Sequence, residues 1–296
     1  VQNILYIGEI AALCGAMLWA VSSLIFKKLD DHLTPSGLNL FKCTLAIVML
    51  AITALIKSGV PVMAMKPFLL LLISGAVGVG LGDTAFFECM RHMGPRRTML
   101  IGLIAPPLTV ILAWVFLGES LSLLAWVGIA IVMAGVAWVV SEHSGGGEGD
   151  HKLGLGLFFG AIYAAGQSIG AVLTRMVLVE SDADLLWSIV VRVAGGIITI
   201  VVMALIRRQS VLGIRKKPSF HVWQWAALAT IMGTYLAMIC QQTALRYAHA
   251  GIAQTLLMSS HLFLLPLGKF TGEKVGWRAV LGAVGAMGGI ALLFMR

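Results

Sequence analysis

Charge is what this chain has least of. Only 11% of its 296 residues are charged, 13 acidic against 21 Lys and Arg. A soluble domain carries about 25%, so there is too little ionic surface here to solvate a globule of this length. The net charge of +8 does not point to nucleic acid. The basic residues flank apolar runs, as at Lys27-Lys28, Arg96-Arg97, Arg207-Arg208 and Arg215-Lys216-Lys217, and form no single patch. Anionic lipid headgroups are the fitting counter-charge. Cysteine is scarce too. Cys14, Cys43, Cys89 and Cys240 include no CxxC pair and all fall within apolar runs, which argues against a disulfide or zinc framework and for buried thiols. No Walker-type glycine loop, nucleophile elbow or HExxH motif is present, so ATP-driven coupling within the chain is not expected. The first apolar run is long and has no small-residue cleavage site, so it reads as a span and not as a cleaved leader.

What the chain has in abundance is long hydrophobic runs. Hydrophobic residues make up 59% and mean hydropathy is +0.96. About ten runs near twenty residues each cover 5–26, 37–56, 68–90, 98–117, 121–140, 153–174, 185–206, 220–245, 250–268 and 276–295. Roughly 20 apolar residues cross a hydrocarbon core about 30 Å thick as a helix. Period-2 alternation is absent, which argues against a barrel. The fold class is therefore all-α integral membrane protein. Many of the 34 glycines lie mid-run. Pairs such as Gly78/Gly82 and Gly285/Gly289 suit close helix packing in lipid.

One linker-like stretch, Ser141 to Lys152, is polar and Gly-rich and separates five runs from five. It divides the chain into 1–140, a first five-helix repeat, the linker 141–152, and 153–296, a second five-helix repeat. An offset of 154 superposes Gly118-Glu119 on Gly272-Glu273, Gly128 on Gly282 and Gly135 on Gly289. An offset of 150 superposes Phe41-Lys42 on Val191-Arg192. An odd number of spans per half forces the halves into opposite orientations. Inverted repeats around a midplane site are a transporter design.

These residues resemble a known family. The Ala105-Pro106-Pro107 to Leu117-Gly118-Glu119 segment, Trp126-Val127-Gly128 with Ala134-Gly135, and the matching Gly272-Glu273, Gly282 and Gly288-Gly289 are similar to the ten-helix EamA-type permeases of the drug/metabolite transporter superfamily. In one place the chain departs from the pattern: Ser260-His261 match Pro106-Pro107, and Pro266 follows five residues later. The resemblance implies export or exchange of small metabolites, often amino acids or amphipathic compounds. It also places spans one, three, four, six, eight and nine around a central cavity.

A charge at the centre of a span costs about 2.5–3.5 kcal/mol on insertion scales, so each one asks for a reason. Asp83 is a proton or cation site, or else one end of an ion pair with Lys42 or Arg192. Lys42 and Arg192 can bind a substrate carboxylate or snorkel to the interface. Glu88 and Arg91 face each other on one helix and read as structural; Glu119 and Glu273 read as capping or interfacial groups. His261 is a candidate proton sensor or carrier, or else a neutral His hydrogen-bonded to a neighbouring helix. Gln167, Gln242, Ser22, Ser23 and Gln241 offer uncharged polar groups at membrane depth. Trp19, Phe86, Phe87, Tyr163 and Tyr235 offer aromatic walls. Pro106, Pro107 and Pro266 are candidate hinges. The linker residues His143, Glu148, Asp150 and His151 match no metal signature.

The resulting expectation is a secondary transporter of amino acids or amphipathic and aromatic metabolites. It works by alternating access, exports its substrate, and sits in the plasma (inner) membrane as a monomer. Its partners are membrane lipids and the small solute, with proton coupling a further expectation and no cofactor, metal or nucleic acid. The alternative class is an intramembrane enzyme or a non-transporting membrane receptor. Lys and Arg are densest in the loops after the odd-numbered spans, which by the positive-inside rule puts both termini outside; the family resemblance implies the opposite.

Overall fold

The computed structural model describes residues 6–27, 32, 34–59, 63–142, 153–206, 208, 214, 219–260, 262–263 and 277–295. Its elements are all helices: α1 (Ile7–Lys27), α2 (Pro35–Ser58), α3 (Met65–Ser74), a π-helical segment π1 (Gly75–Gly82), α4 (Asp83–Gly102), α5 (Ala105–Leu117), α6 (Leu123–Glu142), α7 (Leu153–Glu180), α8 (Leu185–Ile206), α9 (Phe220–Thr230), a second π-helical segment π2 (Ile231–Leu236), α10 (Ala237–Tyr247), α11 (Ala250–Met258) and α12 (Trp277–Phe294). α3, π1 and the first part of α4 make one span, and α9, π2 and α10 make another. Seven spans are long and apolar enough to cross a membrane, and α6 and α12 are shorter apolar helices. With α11 they complete the ten expected.

Lipid as the solvent explains which residues face out. Ile56 is 79% exposed, Leu123 80% and Phe220 78%, whereas the large side chains with almost no exposure include Arg192 and Gln242. The outer surface is apolar because it meets acyl chains, and the polar groups find partners inside, within a core that is itself mostly apolar.

The two halves run in opposite directions. Gly8 at the start of α1 lies against Ala248 just after α10. Arg175 near the end of α7 reaches the Leu245 carbonyl at 2.6 Å. The first helix of one half therefore begins on the face where the first helix of the other half ends. We call this the terminal face, since α12 also finishes there beside Tyr6, and the opposite side the far face.

Three local findings refine the sequence reading. Between spans three and four the chain reverses without leaving helical geometry. Thr98 Oγ1 donates to Cys89 Sγ at 3.3 Å, and a side chain at Gly160 would meet both Cys89 and Ile101. The break falls later, at Leu103-Ile104, and Pro106 and Pro107 open α5 in its first turn, where a missing N–H costs nothing. Lastly, Gly285 has open space beside it, so the Gly285/Gly289 pair is not a packing unit. α12 instead meets α6 through Gly282 and Gly289, which approach Gly135 and the Gly128 carbonyl; residues seven apart drift only about 20° around a helix and so stay on one face.

Candidate functional site

The two π-helical segments set the geometry. Widening a helix by one residue per turn shifts its carbonyls out of the ordinary pattern, and such segments recur at functional positions. π1 is Gly75-Ala-Val-Gly-Val-Gly-Leu-Gly82. Its backbone is pressed against α8, where a methyl group at Gly75 would lie 1.6 Å from the Arg192 carbonyl oxygen. Only glycine fits that approach. Side chains from other helices hold the displaced backbone. Asn39 Nδ2 donates to the Val79 carbonyl at 3.0 Å and to Thr84 Oγ1 at 3.2 Å. Gln167 Nε2 reaches the Gly78 carbonyl at 3.4 Å. In π2, Trp19 Nε1 donates to the Gly233 carbonyl at 2.8 Å.

Asp83 is the first residue after π1. Its Oδ2 lies 2.6 Å from Lys42 Nζ, and its Oδ1 accepts from Gln167 Nε2 at 2.9 Å. Lys42 Nζ also stands 5.5 Å from the centre of the Phe87 ring. The pair keeps some exposure, 12% for the Lys42 side chain and 21% for Asp83. Arg192, which matches Lys42 in the repeat, is only 2% exposed. Its Nη1 donates to Gln241 Oε1 at 3.1 Å, and its Nε has no hydrogen-bond partner.

The depths match as well. Lys42 is seven residues into α2 (42 − 35) and Arg192 seven into α8 (192 − 185). At a rise of 1.5 Å per residue each is about 10 Å from the start of its helix. α2 starts at the far face and α8 at the terminal face, so the two cations straddle the midplane.

The other expected site residues are distributed as follows. Tyr163 is buried, its ring 5.0 Å from Phe86 and next to Gly102. Tyr235 lies on π2 with its hydroxyl 2.9 Å from Thr53 Oγ1. Ser23 donates within its own helix to the Ala20 carbonyl at 2.8 Å. Gln242 is fully buried, with neither amide atom hydrogen-bonded. His261 and Pro266 lie outside the described residues, as do His143, Glu148, Asp150, His151 and Glu273. Glu88 sits 3.7 Å from Arg91, as its spacing suggests.

Glu119 does more than cap a helix. Gly118 adopts the left-handed conformation (φ 65°) that ends α5. This turns Glu119 toward the second half. Its Oε1 accepts from Arg175 Nε, and its Oε2 accepts the Ala250 N–H at 2.9 Å at the start of α11 and lies 3.4 Å from His249 Nδ1. Arg175 also donates to the Leu245 and Arg246 carbonyls ending α10, at 2.6 and 3.2 Å. Burial pushes the Glu119 carboxyl up, but the His249 ring, the Arg175 guanidinium and the Ala250 N–H outweigh it and hold the pKa below its ordinary value. A second tie lies nearby on the terminal face. Ser58 Oγ donates to Asp184 Oδ2 at 2.8 Å, and Trp187 Nε1 donates to the Gly59 carbonyl at 3.0 Å. A cavity of about 360 Å³ lined by Ser120, Leu121, Ser122, Ala125 and His249 flanks Glu119, away from the polar core.

Asn39, Arg175 and Gln254 were not singled out from the sequence. Asn39 precedes Lys42 by three residues on the same face, which is the signal that points to it. Arg175 lies just past the apolar run as first bounded. Gln254 is 1% exposed on α11 with neither amide atom hydrogen-bonded; a lone Gln in an apolar run gives little warning.

The model for the EamA-like transporter family matches this chain twice, over residues 6–141 and 154–295. No curated protein matches it. Among the solved structures, one crystal structure of a protein superposes with a TM-score of 0.79 at 15% identity, covering 96% of this chain and 95% of that one. At that identity the likeness concerns the fold alone.

Proposed function

The chain belongs to the EamA-like transporter family, a multi-pass membrane transporter of small substrates and not an enzyme, and on that premise we propose that it is a secondary transporter working by alternating access around the Lys42–Asp83 and Arg192–Gln241 pairs. The observation that carries this reading is their placement. Two cations, Lys42 partly buried and Arg192 fully buried, sit at equal depth on opposite sides of the midplane, between halves that run in opposite directions. Buried ionisable groups in a membrane mark solute or ion pathways.

The asymmetry between the pairs supports a state. Lys42 and Asp83 retain exposure while Arg192 is sealed, and the terminal face is tied across the halves by Glu119 with Arg175, Ser58 with Asp184 and Trp187 with Gly59. The terminal face is closed in this reading, and solute enters from the far face. The Lys and Arg of the far-face segments favour placing that face in the cytoplasm. Export of a metabolite from the cell across the plasma membrane follows. Asp83 and Lys42 are the groups through which a proton or substrate charge is exchanged, and Phe87, Tyr163, Trp19 and Tyr235 form the aromatic surround.

Flux into proteoliposomes, measured with and without a pH gradient for a panel of amino acids, organic acids and amphipathic amines, tests the reading. Saturable flux of at least one class is expected. An absence of flux across the whole panel contradicts it.

A further inference from the structure

The repeat gives Arg192 a history that its surroundings do not complete. In the first half, Lys42 meets a carboxylate on the first residue after the π-helical segment, Asp83. The same offset of 154 that aligns the later spans carries position 83 onto 237, the first residue after π2, and that residue is Ala237. A methyl group stands where the symmetry-related carboxylate belongs. Arg192 makes do with the neutral amide oxygen of Gln241 at 3.1 Å. The displaced backbone carbonyls of Gly78 and Val79 already accept side-chain donors, from Gln167 and Asn39.

Three consequences follow from the physical chemistry. Among the described residues, this core holds two cations, Lys42 and Arg192, against one carboxylate, Asp83. One positive charge stays uncompensated in a low-dielectric interior, where isolated charges are costly. Arg192 Nε is buried and undonated. The next residue along α10, Gln242, is fully buried with a free donor and a free acceptor. A guanidinium with an open Nε–H is suited to a charge-assisted hydrogen bond to a carboxylate.

We propose that the solute carries a carboxylate and net negative charge, and that this carboxylate fills the place of the missing repeat partner on Arg192. This rests on the transporter reading and names its substrate class. A neutral or cationic solute leaves the excess charge in place. A monoanion cancels it.

The test uses purified full-length protein with three acids and their primary amides: lactate and lactamide, phenylacetate and phenylacetamide, indole-3-acetate and indole-3-acetamide. Each amide keeps the shape of its acid and removes the charge. Thermal stabilisation is titrated, and flux of the same six compounds and of phenethylamine is followed in proteoliposomes. At least one acid is expected to bind ten-fold or more tightly than its amide. Arg192→Gln is expected to erase that ratio, and Arg192→Lys to keep part of it. The acid-to-amide ratio in the unaltered protein needs no variant, so misfolding of Arg192→Gln leaves the test intact. Equal binding of every acid and its amide, or flux of phenethylamine and the amides without the acids, overturns the carboxylate assignment while leaving transport standing. Flux of none of the seven compounds counts against both.

Discussion

Lys42 Nζ and Asp83 Oδ2 are 2.6 Å apart, one on the second helix and the other directly after the first π-helical segment. The pair fastens α2 to a widened, weakened stretch of helix. Breaking it from one side leaves a buried charge without a partner, which costs about 3–5 kcal/mol in comparable settings. Asp83→Asn is therefore expected to lower the melting temperature clearly and to abolish flux. The double replacement Lys42→Met with Asp83→Leu is expected to recover most of the stability and none of the flux. Recovery of flux in the double variant assigns the pair a purely structural role.

The Glu119 cluster gives the terminal face a pH dependence whose sign is fixed. The folded-state pKa lies below the ordinary 4.5. The carboxylate's contribution is then complete above that ordinary value and is lost as pH falls through the depressed one. The charged groups around it are Arg175 and, when protonated, His249. Acidifying the terminal face below about 4.5 is expected to loosen contacts among α5, α7 and α11, read as faster hydrogen exchange at Ala250. Glu119→Gln is expected to show the loosened state at neutral pH and a flat profile.

Gly75 admits no side chain. A methyl group there meets the Arg192 carbonyl oxygen at 1.6 Å, and both partners are backbone. Gly75→Ala must push π1 away from α8, at a cost of about 1–3 kcal/mol or more. Because the Arg192 backbone moves with it, substrate affinity is expected to fall together with stability. An unchanged melting temperature would show that α8 yields freely at this contact.

Trp19 holds the second π-helical segment through its indole N–H on the Gly233 carbonyl at 2.8 Å. Trp19→Phe keeps an aromatic ring but removes the donor together with the pyrrole half of the indole, leaving a carbonyl at membrane depth without that partner. A loss of about 1–3 kcal/mol is expected, measured by chemical or thermal unfolding in detergent.

Much of this was legible in the residues themselves. Ten apolar runs and the mid-chain glycine linker are enough for the number of spans. Odd spans per half then dictate inversion, and Lys42 and Arg192 align at one offset. What stayed hidden has a physical cause in each case. A run of glycines in π1 reads equally as ordinary helix, since the π form is chosen by the backbone of α8 pressing on Gly75. Asp83 had two candidate partners, and only the fold brings Lys42 to it while leaving Arg192 to Gln241. Glu119 looked like a cap because its partners, Arg175 and the Ala250 N–H, come from helices 56 and 131 residues away. The site roles of His261 and Pro266 fall outside the described residues.

The central claim is that the two inverted halves must part at the terminal face for solute to leave. Ser58 and Asp184, joined at 2.8 Å across that face, allow a direct measurement. In a background with Cys14, Cys43, Cys89 and Cys240 replaced, Ser58→Cys with Asp184→Cys is reconstituted into liposomes and oxidised. Flux is expected to stop on oxidation and to return on reduction. Undiminished flux with the cross-link formed would show that the terminal face need not open, and alternating access between these halves would be wrong.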